Sequence, residues 1–298
     1  MQTANEIKNI SVMTLGCAKN LVDSERFSGL LNANGFSIID NADKADALII
    51  NTCGFIKSAK QENVQLIMEA ADMRRRKKLK KLIVTGCLAE RYNEELRKQI
   101  KHVDYFLGVN SDERILKILM NNEKYELVGE RIQFTPKHYA YLKISEGCNQ
   151  KCTFCAIPLM RGKHVTEPVE KLVDEATRLA ENGTKELVVI AQDSTYYGKD
   201  LYGKRILSDL LEKLSQIKGI EWIRIMYAYP RSFPLEILDV IAGADNICNY
   251  IDIPLQHGSD KVLKSMRRGV TRAQIEELIG NIRAKVPNVA IRSTFIVG

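Results

Sequence analysis

The 298-residue sequence predicts an α/β protein in two parts. An open parallel-sheet domain occupies residues 1–124. After a connection at 125–138, a partial (β/α) barrel of the TIM type occupies 139–298 and is incomplete at its C-terminal end. Three observations support this reading. Short apolar runs alternate with amphipathic stretches, a pattern that gives parallel strands covered by helices. The alternation lapses over 122–138, around Pro136, and then resumes. In the second series the strand ends are polar or glycine-bearing, as in barrels that place their chemistry at the carboxyl ends of strands.

In the first part, Ile10-Ser-Val-Met-Thr-Leu15 reads as a strand, and 23–32 as a helix. Phe36-Ser-Ile-Ile39 reads as an additional strand. Ala45-Asp-Ala-Leu-Ile-Ile50 is the next, with a helix over 57–76. Leu82-Ile-Val-Thr85 precedes a helix over 93–100, and Val103-Asp-Tyr-Phe-Leu107 precedes one over 112–120. A short hairpin strand is predicted at 125–128. In the second part, strand 140–144 is followed by a helix over 169–181 that stops at Asn182-Gly183, a C-terminal cap signal. Strand 186–191 pairs with helix 206–217, and strand 222–226 with helix 234–242. Strand 250–253 leads into helices over 259–267 and 272–284, and strand 289–297 comes last. A final apolar strand without a covering helix predicts that the sequence is a fragment of a longer protein.

Hydrophobic content of 45% and charged content of 27% are those of a soluble globular chain. Met1-Gln-Thr-Ala-Asn-Glu6 lacks a signal-peptide apolar region, and no apolar run approaches a membrane-spanning length. A cytoplasmic protein is expected. An odd count of seven cysteines then argues for reduced thiols serving metal or catalysis rather than a disulfide framework. The net charge of +7 leans toward an acidic partner such as RNA or a ribonucleoprotein. Much of it lies in Arg74-Arg-Arg-Lys-Lys-Leu-Lys-Lys81, which also reads as a solvated helix end.

The sharpest motif is Ser145-Glu-Gly-Cys-Asn-Gln-Lys-Cys-Thr-Phe-Cys-Ala-Ile-Pro158. Cys148, Cys152 and Cys155 stand in C-x3-C-x2-C spacing. Three thiolates in one short loop can hold three irons of a four-iron, four-sulfur cluster and leave the fourth iron open to a small molecule. A zinc site would want a fourth ligand at short spacing, and His164 stands outside such spacings. The other cysteines fall at strand ends: Cys17 in Leu-Gly-Cys, Cys53 in Asn-Thr-Cys-Gly, Cys87 in Thr-Gly-Cys. A parallel sheet gathers such ends on its carboxyl edge, where open α/β sheets bind ligands. Burial of these three as ordinary core cysteines is the competing reading. His164 and Cys248 read as structural.

With both cysteine sets in view, the chain resembles the methylthiotransferase family of radical S-adenosylmethionine enzymes over nearly its whole length. Cys17, Cys53 and Cys87 match that family's auxiliary-cluster ligands. Cys148, Cys152 and Cys155 match the ligands of its radical-generating cluster. Arg161-Gly162 also fits, although the family usually continues toward Ser-Arg-Pro where this chain has Thr166-Glu167-Pro168. Three stretches resemble the branch that modifies an aspartate of the twelfth small-subunit ribosomal protein. They are Gly16-Cys-Ala-Lys-Asn-Leu-Val-Asp-Ser-Glu25, Ala191-Gln-Asp-Ser-Thr-Tyr-Tyr-Gly198 and Pro254-Leu-Gln-His-Gly-Ser-Asp-Lys-Val-Leu-Lys-Ser-Met-Arg-Arg268. The branch acting on tRNA adenosine typically carries Gln-Met-Asn where this chain has Ala18-Lys19-Asn20.

The resemblance implies two 4Fe-4S clusters, S-adenosylmethionine as radical source and methyl donor, and methylthio addition at the β-carbon of the aspartate. It implies as partners the ribosomal protein or the assembling small subunit, and an electron donor such as flavodoxin or ferredoxin. The enzyme is expected to be a monomer. Gln192, Asp193, Gln256 and His257, at barrel strand ends, are candidates for holding the cosubstrate or orienting the substrate, with a structural role the alternative for each. Phe154 is a candidate for packing beside the adenine, with core packing its alternative. The resemblance also implies that a sixth barrel strand and a small C-terminal β-barrel domain are missing. The rival readings are a tRNA methylthiotransferase, an iron–sulfur electron carrier or sensor, and a zinc-binding RNA scaffold.

Overall fold

A computed structural model describes residues 7–120, 125–127 and 129–297. Val128, in the strand predicted at 125–128, lies outside the described residues, as does Gly298. The chain divides into two compact units, Met1–Phe134 and Thr135–Gly298.

In the first unit, β1 (Asn9–Thr14) is followed by α1 (Ala18–Ala33), β2 (Ser37–Ile38), β3 (Ala47–Thr52) and α2 (Lys57–Arg75). Then come β4 (Lys81–Gly86), α3 (Cys87–Arg91), α4 (Asn93–Gln99), β5 (Tyr105–Phe106) and α5 (Asp112–Met120). The strands pair in the order β2-β1-β3-β4-β5, and every pairing is parallel. Strand β3 lies in the middle and is buried along its whole length, as befits a parallel strand covered on both faces. Period-two alternation sends Leu48 and Ile50 into one core with Ile67, Leu82, Val84 and Leu96. Ala47 and Ile49 enter the other with Phe27, Leu31 and Leu116.

Helix α1 begins at Ala18, five residues before the predicted start. Its first turns bury Lys19, Asn20, Ser24 and Glu25, so the apolar periodicity that signals a helix is absent there. The predicted strand at 125–128 does not form over the described residues 125–127. The Asn34 side chain captures both backbone groups of Glu126 instead, at 2.8 Å each, and so takes the ladder's place at that residue. Residues 129–134, within the predicted connection, pack on α1. Arg131 pairs with the fully buried Glu25, whose second oxygen accepts from the Phe134 N–H at 2.6 Å. Gly29 lies so close that a Cβ there would stand 1.9 Å from the Glu130 carbonyl oxygen.

The second unit opens with β6 (Tyr139–Lys143), β7 (Ser145–Glu146), α6 (Ile157–Arg161), β8 (Val165–Thr166) and α7 (Val169–Glu181). There follow β9 (Glu186–Ile190), α8 (Leu207–Ser215), β10 (Trp222–Ile225), α9 (Glu236–Gly243), β11 (Ile247–Asp252), α10 (Asp260–Ser265), α11 (Arg272–Lys285) and β12 (Ala290–Arg292). The main sheet runs β12-β11-β10-β9-β6. Its strands stand in sequence order and are all parallel, as in successive βα units of a barrel. One continuous core joins the strands to α7, α8, α9 and α11. Strand β12 is shorter than predicted. The Ser293 hydroxyl inserts between strands, accepting from the Leu255 N–H at 3.2 Å and donating to the Ile253 carbonyl at 3.0 Å. Beyond it, pairing continues only as a single bridge from Gln256 to Phe295.

Candidate functional site

In the first unit the cysteines follow β1, β3 and β4, the three central strands. All three lie at the carboxyl edge. Two buried asparagines bind their loops together. Asn20 donates from Nδ2 to the carbonyls of Leu15 at 2.8 Å and Thr52 at 3.0 Å, and its Oδ1 lies 3.8 Å from Cys87 Sγ. Asn51 donates to the Asn20 carbonyl at 2.9 Å and to Ser24 Oγ at 3.0 Å. Asn63 on α2 accepts from the Cys53 N–H at 2.8 Å.

The glycines beside these cysteines are needed for close approach. A Cβ on Gly16 would stand 2.8 Å from Cys53 Sγ, and one on Gly54 3.1 Å from the Cys87 carbonyl oxygen. Gly86 holds φ 93°, ψ −167°, a region essentially confined to glycine. Cys17 is exposed, while Cys53 and Cys87 are buried.

In the second unit the C-x3-C-x2-C loop is closed at its neck and pinned at its tip. Strands β7 and β8 pair antiparallel, Ser145 with Thr166 and Glu146 with Val165. The Cys148 N–H donates to the Gly162 carbonyl at 3.1 Å. Gly147, at φ 72°, approaches Lys163 so closely that a Cβ would stand 2.0 Å from its carbonyl oxygen. At the tip, the Thr153 N–H donates to Met266 O at 3.1 Å and the Thr153 hydroxyl to Ser265 O at 3.2 Å. The turn after α10 therefore grips the loop between Cys152 and Cys155.

Beneath the neck lies a charged node that sequence reasoning did not assemble. Glu146 accepts from Lys143 at 2.7 Å, from Arg161 Nη1 at 2.9 and 2.8 Å, from Gln192 at 2.8 Å and from the Gly147 N–H at 3.1 Å. Burial alone would raise the Glu146 carboxyl, but the Lys143 ammonium and Arg161 guanidinium outweigh it and hold the group well below the usual carboxylate range. The sequence marked Arg161 and Gln192 but not their shared partner, because Glu146 and Arg161 meet only through the hairpin that encloses the loop. Burial pushes the Cys148 thiol up to about 12 and raises Cys155 as well. A thiolate there is costly unless a cation compensates it.

The remaining candidates separate. Asp193 is buried and reaches the loop, accepting from Gln150 Nε2 at 2.9 Å and from the Thr195 hydroxyl at 2.7 Å. Gln192 Oε1 is buried without a hydrogen-bond partner, an acceptor open to a ligand. Phe154 is 41% exposed, so it does not pack in the core. Gln256 holds φ 77°, and its backbone bonds to Thr294 and Ile296. His257 Nδ1 accepts from the Ser259 N–H at 2.9 Å and so closes a local turn. His164 is buried with Nε2 3.2 Å from the Thr166 hydroxyl, and burial lowers its pKa.

Among the described residues no group of three His, Cys, Asp or Glu side chains is arranged for a single metal ion. A multi-iron cluster makes a different demand, since each thiolate binds a separate iron. Both cysteine sets meet that demand in donor type. Each is three thiols on loops held by close backbone contacts, and Gln192, bonded to Glu146 at the neck of the second loop, has its buried Oε1 left open.

Residues 142–298 match the family model described as the Radical SAM superfamily, and residues 9–108 match Uncharacterized protein family UPF0004. The chain is 54% identical over 302 residues to the ribosomal protein uS12 methylthiotransferase RimO of Flavobacterium johnsoniae, covering 100% of this chain and 69% of that protein. It is 48% identical over 302 residues to RimO of Clostridioides difficile, covering 97% and 68%. In fold it is similar to the cobalamin-dependent S-adenosylmethionine radical enzyme OxsB, with a TM-score of 0.68, 14% identity, and 98% of this chain and 49% of that chain covered. It is also similar to the radical S-adenosylmethionine methyltransferase TsrM from Kitasatospora setae, with a TM-score of 0.68, 12% identity, and 96% and 67% covered. Fold and cysteine loop together define a radical S-adenosylmethionine enzyme. Within that class, the chain belongs to the methylthiotransferase family that includes RimO.

Proposed function

We propose that this chain adds a methylthio group to an aspartate β-carbon of ribosomal protein uS12. The observation that carries the reading is the pair of thiol triads, one at the carboxyl edge of a parallel sheet and one on a barrel loop. It occurs in a chain about half identical to uS12 methylthiotransferases throughout. Cys148, Cys152 and Cys155 would hold one 4Fe-4S cluster, and Cys17, Cys53 and Cys87 the other. When bound, the clusters and S-adenosylmethionine supply the one-electron chemistry and the sulfur needed to functionalise a C–H bond beyond the reach of acid–base catalysis.

The chain's own residues supply placement. The β7–β8 hairpin, the Glu146 node and the Ser265–Met266 grip fix the loop that bears three thiols. Gln192 Oε1 presents a free acceptor for a donor on the cosubstrate, and Asp193 orients Gln150 within the loop. Phe154, on the loop surface, offers a ring for stacking. Preset geometry of this kind is what positioning contributes to rate.

The electron donor is an acidic protein of the flavodoxin or ferredoxin type. What supports this is a cavity of about 760 Å³ beside the cysteine loop, lined by four cations, Lys151, Arg231, Lys264 and Arg267, against one carboxylate, Asp260, a balance that favours a negatively charged surface.

The test is an anaerobic assay of the reconstituted chain with S-adenosylmethionine, sulfide, flavodoxin and either uS12 or tRNA, read by mass spectrometry. Methylthio-aspartate in uS12 is expected, and product in tRNA alone would overturn the substrate assignment. Lys151→Glu with Lys264→Glu is expected to slow the flavodoxin-driven reaction several-fold and leave the dithionite-driven one unchanged. Equal rates with flavodoxin would remove the donor assignment.

A further inference from the structure

Arg268 sits in the turn that follows α10 and is 4% exposed. Its guanidinium donates from Nη1 to Cys152 Sγ at 3.3 Å and from Nη2 to the Pro254 carbonyl at 2.5 Å. It stacks over the Tyr229 ring at 4.1 Å from the centroid. Its Nε is buried and has no hydrogen-bond partner. Among the described residues no carboxylate pairs with it. The Tyr229 hydroxyl lies 3.4 Å from the same sulfur and donates to the Arg268 carbonyl at 2.9 Å.

A buried cation without an anion is expensive. A structural arginine in such a place would spend its donors on carbonyls. This one spends a donor on a cysteine sulfur and keeps another in reserve. The missing negative charge is the one that a cluster-bound thiolate would carry. The three cysteines are also treated unequally. Cys148 Sγ accepts from the Gln150 backbone N–H at 3.4 Å, a neutral donor, whereas among the described residues Cys152 alone receives a donor bearing full positive charge. Hydrogen bonds and charge at the sulfurs are among the factors that fix an iron–sulfur reduction potential.

We infer that Arg268, with Tyr229 holding it in place, sets the reduction potential of the cluster bound by Cys148, Cys152 and Cys155. The inference rests on the cluster assignment above. One-electron reduction adds a negative charge to the cluster without adding a proton. A fixed guanidinium on the Cys152 sulfur stabilises that reduced state and raises the midpoint potential. Arg268 is thus a positioning and tuning residue and does not touch the transferred group. Tyr229 supports the guanidinium with its ring and the Arg268 backbone with its hydroxyl.

The test is a redox titration of the reconstituted full chain followed by electron paramagnetic resonance. It is run with Cys17, Cys53 and Cys87 changed to Ala so that a single cluster reports. Arg268→Met keeps the volume and removes the charge. Its midpoint is expected to fall by about 59 mV or more, a tenfold shift in the one-electron equilibrium, at undiminished iron content. Arg268→Lys is expected to fall between the two, and Tyr229→Phe to shift the same way by less. A midpoint unchanged in Arg268→Met at full iron content would overturn the inference. Should Arg268→Met fail to retain iron, Arg268→Lys and Tyr229→Phe decide, and two unshifted midpoints overturn it. Loss of iron from the chain with Arg268 intact would instead sink the cluster assignment on which the inference depends.

Discussion

Asn20 shows what a single side chain contributes at the first cysteine edge. It is fully buried, and one amide spans the loops after β1 and β3 while facing Cys87. Asn20→Ala takes a donor from one buried and one part-buried carbonyl, so a loss of about 1–3 kcal/mol is expected, read as a lower urea midpoint together with less iron at the first triad. An unchanged midpoint would show that the loops hold each other without it. The six cysteines were legible as ligand candidates because thiols at strand ends and in tight spacing have few other uses. Asn20, Asn51 and Arg268 were not legible. Polar residues that become buried acquire their meaning only when distant loops meet, and no periodicity marks them.

At the scale of elements, the joint between α1 and residues 129–134 was the part least readable in the sequence. Glu25 gave a polar position where a helix start wants apolar ones, and the segment around Arg131 read as a connection. The structure joins them as a buried ion pair that docks the segment onto α1. Arg131→Ala leaves the Glu25 carboxylate buried without its cation, still bonded to the Phe134 N–H, and about 3–5 kcal/mol of destabilisation is expected, measured by equilibrium unfolding. A change within experimental error would mean that the segment is held by packing at Gly29 alone. Elements with clean signals were predicted closely. Helix α7, Val169–Glu181, ends where Asn182-Gly183 said it would, and β9, an apolar run between turn signals, begins at the predicted Glu186. The short elements β7, β8 and α6 were missed because their pairings depend on closing the cysteine loop rather than on local pattern.

At the scale of the whole molecule, the acid response of the first unit follows from its surface carboxylates. Burial would raise Asp46, but the N–H groups of Asn9 and Lys8 and the Lys80 ammonium outweigh it, and the carboxyl is lowered from 3.8 to about 2. A carboxyl depressed on folding stabilises the native state above its unfolded value, and the contribution is lost as pH falls through the folded one. Stability is therefore expected to decline between about pH 4 and pH 2 and to decline less steeply in Asp46→Asn. Parallel curves for the two proteins would show that Asp46 takes no part. The fold class itself was readable throughout, because parallel sheets bury both faces and print continuous apolar runs into the sequence.

The two triads remain the centre of the account, and iron content tests them most directly. The anaerobically reconstituted chain is compared with two triple variants, one with Cys148, Cys152 and Cys155 changed to Ala and one with Cys17, Cys53 and Cys87 changed to Ala. Each variant is expected to retain half the iron and sulfide of the parent, and only the variant with Cys148, Cys152 and Cys155 intact is expected to perturb its cluster spectrum on adding S-adenosylmethionine. A variant that keeps the full iron content, or a parent holding only one cluster, would contradict the assignment of two clusters.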